Sequence, residues 1–136
     1  MDSITIEIPG EPHSQTRHRH TSRGGFVRTY DPKAKDKEKL LEYIQSNYKI
    51  TKIENMIEAR IIANFGIPKS YSNKKTETLH DQYRPKKPDV DNIAKFYLDT
   101  LNGVAYDDDS QIVYLEVSKH YSKFPSVTII LCEVLF

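Results

Sequence analysis

Ile57, Ala59, Ile61, Ala63 and Phe65 place an apolar residue at every second position of the run Ile57–Ile67. Successive side chains of a strand point to opposite faces, so this period of two commits the run to a strand with one face on a core. A strand of that kind needs neighbours for its main chain and a layer over its apolar face, and the chain supplies both. Ser3–Pro9 alternates with Ile4, Ile6 and Ile8 on one face and stops at Pro9-Gly10. Gln111–Tyr121 and Ser126–Leu135 read as two further strands, joined by a turn around Lys123-Phe124-Pro125. Two segments follow the helical period instead. Lys33–Tyr48 carries an apolar stripe of Leu40, Leu41 and Ile44, with Asp31 as its cap and Pro32 at the first helical position. Asp89–Leu101 lines up Val90, Ala94, Tyr97, Leu98 and Leu101 on one face and closes at Asn102-Gly103.

The expected order is β-α-β-α-β-β. The fold class is α+β, a small mixed sheet with two main helices packed on it, and residues 1–136 form one domain without repeats. Two polar stretches lie outside this pattern. Residues 10–30 are rich in His, Arg and Gly, and Gly24-Gly25 before Phe26-Val27 suggests a small hairpin. Residues 68–88 hold three prolines and no usable period, so they are either functional or partly disordered.

Composition narrows the class. Hydrophobic residues make up 38% and charged residues 29%, as in a soluble globular protein. The segment MDSITIEIPG has no basic start or long apolar run, so no signal peptide is expected, nor is a membrane span; a cytoplasmic location follows. Cys132 is alone in an apolar run, which excludes an internal disulfide and suggests a buried, inert thiol. The net charge of +1 is uninformative, but its distribution is not. Residues 17–39 hold eight Lys/Arg against three acids, a net of +5. Residues 69–87 hold six against two, a net of +4, and residues 88–116 hold one against seven, a net of −6. Two basic segments flanking an acidic centre suit a phosphate-binding chain with a cation site.

The acidic centre holds two clusters. Asp89 stands before the second helix, where a carboxylate either caps the helix or serves as a ligand, and Asp91 sits in the first turn. Asp107-Asp108-Asp109 follow in a turn before Gln111. If that strand lies beside the helix start, three or four carboxylates converge, and a divalent cation such as Mg²⁺ resolves their repulsion. Lys95, one turn after Asp91, could pair with it, orient a water or stabilise charge on a phosphate, with Asp99 as its solvated partner. The chemistry this suits is phosphodiester hydrolysis. An EF-hand is excluded: counting from Asp107, Ile112 stands where the loop needs Gly and Ser118 where it needs Glu. His13, His18 and His20 come without a cysteine pair, so zinc is not expected. No phosphate-binding glycine loop, dinucleotide fingerprint or serine triad occurs.

Lys87-Pro88-Asp89-Val90-Asp91-Asn92-Ile93-Ala94-Lys95, then Leu98–Val104, then Tyr106–Ile112 closely resemble the RusA family of Holliday-junction resolvases. That family shows a P-D-x-D-N-x-x-K helix, a D-A-L-x-G segment and a D-D-x-Q turn, here spread over Pro88–Gln111. The resemblance implies a homodimeric, Mg²⁺-dependent endonuclease, with Mn²⁺ as a substitute and no small-molecule cofactor, that nicks branched four-way DNA symmetrically in recombination and repair. Such proteins are often carried by prophages. It implies catalytic roles for Asp89, Asp91, Lys95 and Asp109, and metal-ligand roles for Asp89, Asp91, Asp108 and Asp109, with Asp109 the main ligand of its turn. Two opposed nicks also call for two sites related by a two-fold axis. Charge and position alone nominate Arg17, Arg19, Lys86 and Lys87 as DNA-phosphate contacts. Two other readings stay open: a metal-dependent nuclease for another nucleic-acid structure, and a DNA-binding module without activity.

Overall fold

A computed structural model describes residues 3–17, 19–23 and 25–135. The elements are β1 (Ser3–Pro9), β2 (Arg19–Arg23), β3 (Phe26–Tyr30), α1 (Ala34–Asn47), β4 (Met56–Gly66), α2 (Asn73–Leu79), α3 (Val90–Leu101), β5 (Ile112–Ser122) and β6 (Ser126–Val134). The class is α+β, as expected. The sheet runs β1-β6-β4-β5: β6 is antiparallel to β1 and β4, whereas β5 is parallel to β4, which makes the sheet mixed. A parallel neighbour requires a crossover, and the chain makes it through α2 and α3. β2 and β3 form a separate hairpin turning at Gly25, whose φ of 80° favours glycine.

Alternation decides which sheet face is covered. Ile57, Ala59, Ile61, Ala63 and Phe65 of β4 and Val127, Ile129 and Leu131 of β6 are buried, and Ile6 joins them from β1. α1 contributes Leu40 and Ile44 to this core, and α3 contributes Ile93, Phe96, Tyr97 and Leu101. α1 is tied to β1 where the Glu7 N–H donates to Tyr48 Oη at 3.0 Å. The other face of the sheet is only partly covered, and Cys132 stands there half-buried, not deep in the core as its apolar run suggested.

Three local expectations change. Asp31 does not cap α1; it lies two residues before Lys33, the cap position, and its Oδ1 accepts the Lys33 N–H at 2.9 Å. Pro32 therefore precedes the helix. Residues 68–88 are organised: α2 starts at Ser72, whose hydroxyl accepts the Lys75 N–H at 3.1 Å, and buries no residue, so no apolar stripe marks it. The segment after α2 then pairs with β5, with the Tyr121 N–H donating to Gln82 O at 2.9 Å and the Arg84 N–H to Lys119 O at 3.0 Å. Among the described residues no helix is long and apolar enough to cross a membrane.

Candidate active site

α3 opens on Asp89, whose backbone (φ −76°, ψ 151°) takes the cap position while its carboxylate makes no capping hydrogen bond. That side chain is 56% exposed and lies 3.6 Å from Lys87 Nζ. Asp91, in the first turn, is exposed and has no hydrogen bond or ion pair to a described residue. Lys95 is likewise exposed and unengaged, so the pairings suggested by its spacing from Asp91 and Asp99 are not made. Asp99 lies instead 3.5 Å from Lys37 Nζ of α1, which also holds Asp31 at 2.7 Å. The cation reaches Asp99 from a neighbouring helix, where spacing within one helix gives no sign of it.

Two carboxylates free of capping duty form an all-oxygen donor pair. That fits Mg²⁺, which takes one or two carboxylates and leaves its other positions to water and substrate phosphate. Asp89 shares an open cleft with Arg17, Lys87 and Asn92. Arg17 and Lys87 thus stand where a phosphate next to the carboxylates would lie. Lys86 has an exposed side chain and lies outside that cleft. Arg19 is the first residue of β2, opposite Tyr30, and its side chain lies outside the described residues, as does His18.

The head of α3 is fixed from both sides. Lys119 of β5 donates from Nζ to Lys86 O at 2.7 Å and to Pro88 O at 2.9 Å. Arg84 packs over the Phe65 ring at 4.3 Å and donates to Lys87 O at 2.8 Å. On the other flank the Gln15 N–H donates to Asn92 O at 2.9 Å, and its buried amide donates to Asp31 Oδ1 at 2.7 Å. The His13 N–H donates to Tyr97 Oη at 2.9 Å, while its ring stacks on Phe96 at 5.0 Å. Burial pushes the Tyr97 hydroxyl up to about 12, so it stays protonated. Sequence reasoning did not single out Lys119 or Gln15. Lys119 had one visible sign: it occupies the core-facing row of its strand between Val117 and Tyr121.

The second acidic cluster is built by Gln111. Its Oε1 accepts the N–H groups of Asp107 and Asp108 at 2.9 and 3.1 Å, and its Nε2 donates to Ile53 O and Asn55 O at 2.8 and 3.1 Å. A 3-10 turn, Asp109–Gln111, results, and β5 starts one residue later than expected. Lys52 pairs with Asp107 at 3.0 Å. The Ser110 hydroxyl, and then Asp109, hold the Asp108 carboxyl below its usual range. Asp109 is shifted up by the hydrogen bond with Asp108, by partial burial and by the charges of Asp108 and Asp99. That coupling to Asp99 locates the turn. It lies beside the C-terminal half of α3, where Tyr106 Oη donates to Leu98 O at 2.6 Å. Asp89 is ten residues up the helix from Asp99, about 15 Å at the helical rise.

The expected convergence is therefore not made within one chain. Among the described residues, no three of His, Cys, Asp or Glu are grouped to hold a metal ion. Asp89 and Asp91 stand together at one end of α3, and Asp108 and Asp109 stand at the other. The cause is the parallel placement of β5 beside β4. It starts the strand at the far end of the helix and brings Lys119, not Asp109, to the helix head.

A family model described as endodeoxyribonuclease RusA matches residues 9–131. The chain belongs to the RusA family of endodeoxyribonucleases. It is also 39% identical, over 98% of its length and 99% of the other's, to an uncharacterized protein, YqaN, of Bacillus subtilis strain 168. The RusA match runs from the end of β1 into β6, so it covers both acidic clusters and the supports around them. As a member of this family the chain is a hydrolase acting on DNA phosphodiester bonds.

Proposed function

We propose that this endodeoxyribonuclease acts in the cytoplasm on four-way DNA junctions, in recombination and repair and in a prophage setting, cutting two strands symmetrically as a Mg²⁺-dependent homodimer. The observation that carries this reading is the head of α3, where Asp89, its carboxylate free of capping, shares a cleft with Arg17 and Lys87, and the exposed Asp91 follows in the first turn. Asp89 and Asp91 would hold Mg²⁺, or Mn²⁺ in its place. When bound, the cation supplies an activated water and neutralises charge developing on the phosphate. Lys95, without an ion-pair partner among the described residues, offers its ammonium to a phosphate oxygen or to the attacking water. Arg17, Lys87, Lys86 and Arg19 grip the flanking strand, and the exposed side chains of Lys86 and Lys87 suit that task.

Asp108 and Asp109 reach this pair only from a second copy. Symmetric cutting already calls for two copies, and the separation of the two clusters within one chain supports the same conclusion. Each site is then completed across the interface, which couples metal binding to assembly.

A substrate panel tests the reading. Four-way junction, flap, linear duplex and single-stranded RNA are offered with Mg²⁺ or with EDTA. Paired nicks in the junction alone, absent in EDTA, are expected. Equal cutting of duplex would replace the junction preference with a general nuclease, and binding without cutting in Mg²⁺ and Mn²⁺ would leave a DNA-binding module.

A further inference from the structure

β5 is an edge strand, and only part of its outer edge is covered. The segment 81–84 bonds to its C-terminal part through Tyr121 and Lys119. Main-chain groups alternate sides along a strand, so the outward groups run back from Tyr121 and Lys119 to Val117 and Leu115. Those two have no outer neighbour among the described residues. The side chains there are apolar and uncovered: Val113 is 58% exposed, Tyr114 45% and Leu115 45%. Monomeric proteins protect such edges with Lys, Pro or inward charge. A bulge at Val113 is one further such device, but it lies at one end of the open stretch, and the one charged residue there, Glu116, is neutralised by Arg60 of β4 at 3.0 Å.

We propose that the open edge of β5 is the surface on which a second copy of this chain pairs, antiparallel, with Leu115 opposite Leu115. This rests on the homodimer reading above and adds its surface and register. Several registers satisfy a two-fold axis here; those centred on Val113 or Tyr114 set Val117 against the 3-10 turn and not against a strand, and the structure separates the other three. Centring on Val117 needs the outward carbonyl of Lys119, already taken by the Arg84 N–H. Centring on Glu116 sets two carboxylates face to face, which is unfavourable. Centring on Leu115 sets Val113 against Val117, apolar on apolar, and Tyr114 against Glu116. Arg60 lies between those last two, bonded to Glu116 and 5.8 Å from the Tyr114 ring. The uncovered stretch 112–118 is itself symmetric about Leu115, so the copies meet without displacing the segment 81–84. In this register the turn with Asp108 and Asp109 of the second copy arrives beside Lys119–Tyr121, next to Pro88 and the head of α3.

The test uses the full chain. Leu115 opposite itself, in a pair exchanging both main-chain bonds, has its two Cα atoms about 5.5 Å apart, within disulfide range. In a Cys132→Ser background, Leu115→Cys is oxidised and run on a non-reducing gel, with Ser118→Cys as control. Sedimentation equilibrium then compares wild type with Leu115→Lys, whose half-exposed position tolerates charge. Expected are a wild-type dimer, covalent dimer from Leu115→Cys and none from Ser118→Cys, and monomer from Leu115→Lys. A dimer that Leu115→Cys does not cross-link, or that Leu115→Lys does not split, overturns the β5 assignment and leaves the homodimer reading standing. A wild-type monomer with and without junction DNA overturns both.

Discussion

Lys119 Nζ donates at 2.9 Å to the carbonyl oxygen of Pro88, the residue before Asp89, and at 2.7 Å to that of Lys86. A strand lysine thus sets the path by which the chain enters α3. It aims the Asp89 carboxylate without touching it. Replacing it with Met keeps the stem and removes the charged donor. Hydrogen bonds of this kind contribute about 1.5–3 kcal/mol. Lys119→Met is expected to slow DNA cleavage at least tenfold, with a smaller effect on junction binding, and to lower the melting temperature modestly. Unchanged cleavage would remove Lys119 from the support of the site.

Arg17 and Lys87 flank Asp89 in one cleft. As phosphate contacts, each releases condensed counterions, about 0.9 per phosphate on duplex DNA. Arg17→Ala with Lys87→Ala is expected to weaken junction binding at low salt and to reduce the slope of log affinity against log salt by about 1.8. Fluorescence anisotropy across a salt series measures it. An unchanged slope would place the DNA elsewhere.

Asp31 is expected to contribute to acid stability. Burial alone would raise its carboxyl, but the Lys37 ammonium, the Gln15 amide and the Lys33 N–H together hold it well below the usual carboxylate range. A depressed folded pKa stabilises the fold above the unfolded value of about 3.9 and loses that contribution as pH falls towards the folded value. Urea midpoints measured from pH 6 down to pH 2 should therefore fall steadily below about pH 4, and Asp31→Asn should flatten that fall. Parallel curves for the two proteins would contradict the assignment.

Much of this is legible in the sequence. β1, β4, β6 and α3 follow directly from periods of 2 and 3.6, because each buries one face. The acidic motif and its family likeness are likewise local in sequence. Strand order was not legible: the parallel pairing of β4 with β5 is a contact between distant segments and leaves no mark on either. The same holds for Asp99, whose cation comes from α1 and not from Lys95. α2 escaped notice because it buries nothing. Both acid clusters are visible along the chain, yet the far end of β5 holds one of them away from the other.

That separation makes mixed subunits informative. Asp91→Asn and Asp109→Asn should each be inactive alone. Mixed and allowed to exchange, they form some dimers with one intact site, contributed by both copies, and single nicks in the junction should return. Continued inactivity of the mixture, with exchange verified by mass, would argue that each site is complete within one chain.

Asp91 is exposed and has no partner among the described residues, so a change there should leave the fold nearly untouched, within about 0.5 kcal/mol. The most direct test of the account is the rate at which wild type and Asp91→Asn nick an end-labelled four-way junction in Mg²⁺, with EDTA as the blank and binding measured alongside. The account predicts Mg²⁺-dependent nicking by wild type, and loss of at least a thousandfold in Asp91→Asn with binding retained. Cleavage by Asp91→Asn at the wild-type rate would contradict it, because the carboxylates at the head of α3 would then not perform the chemistry.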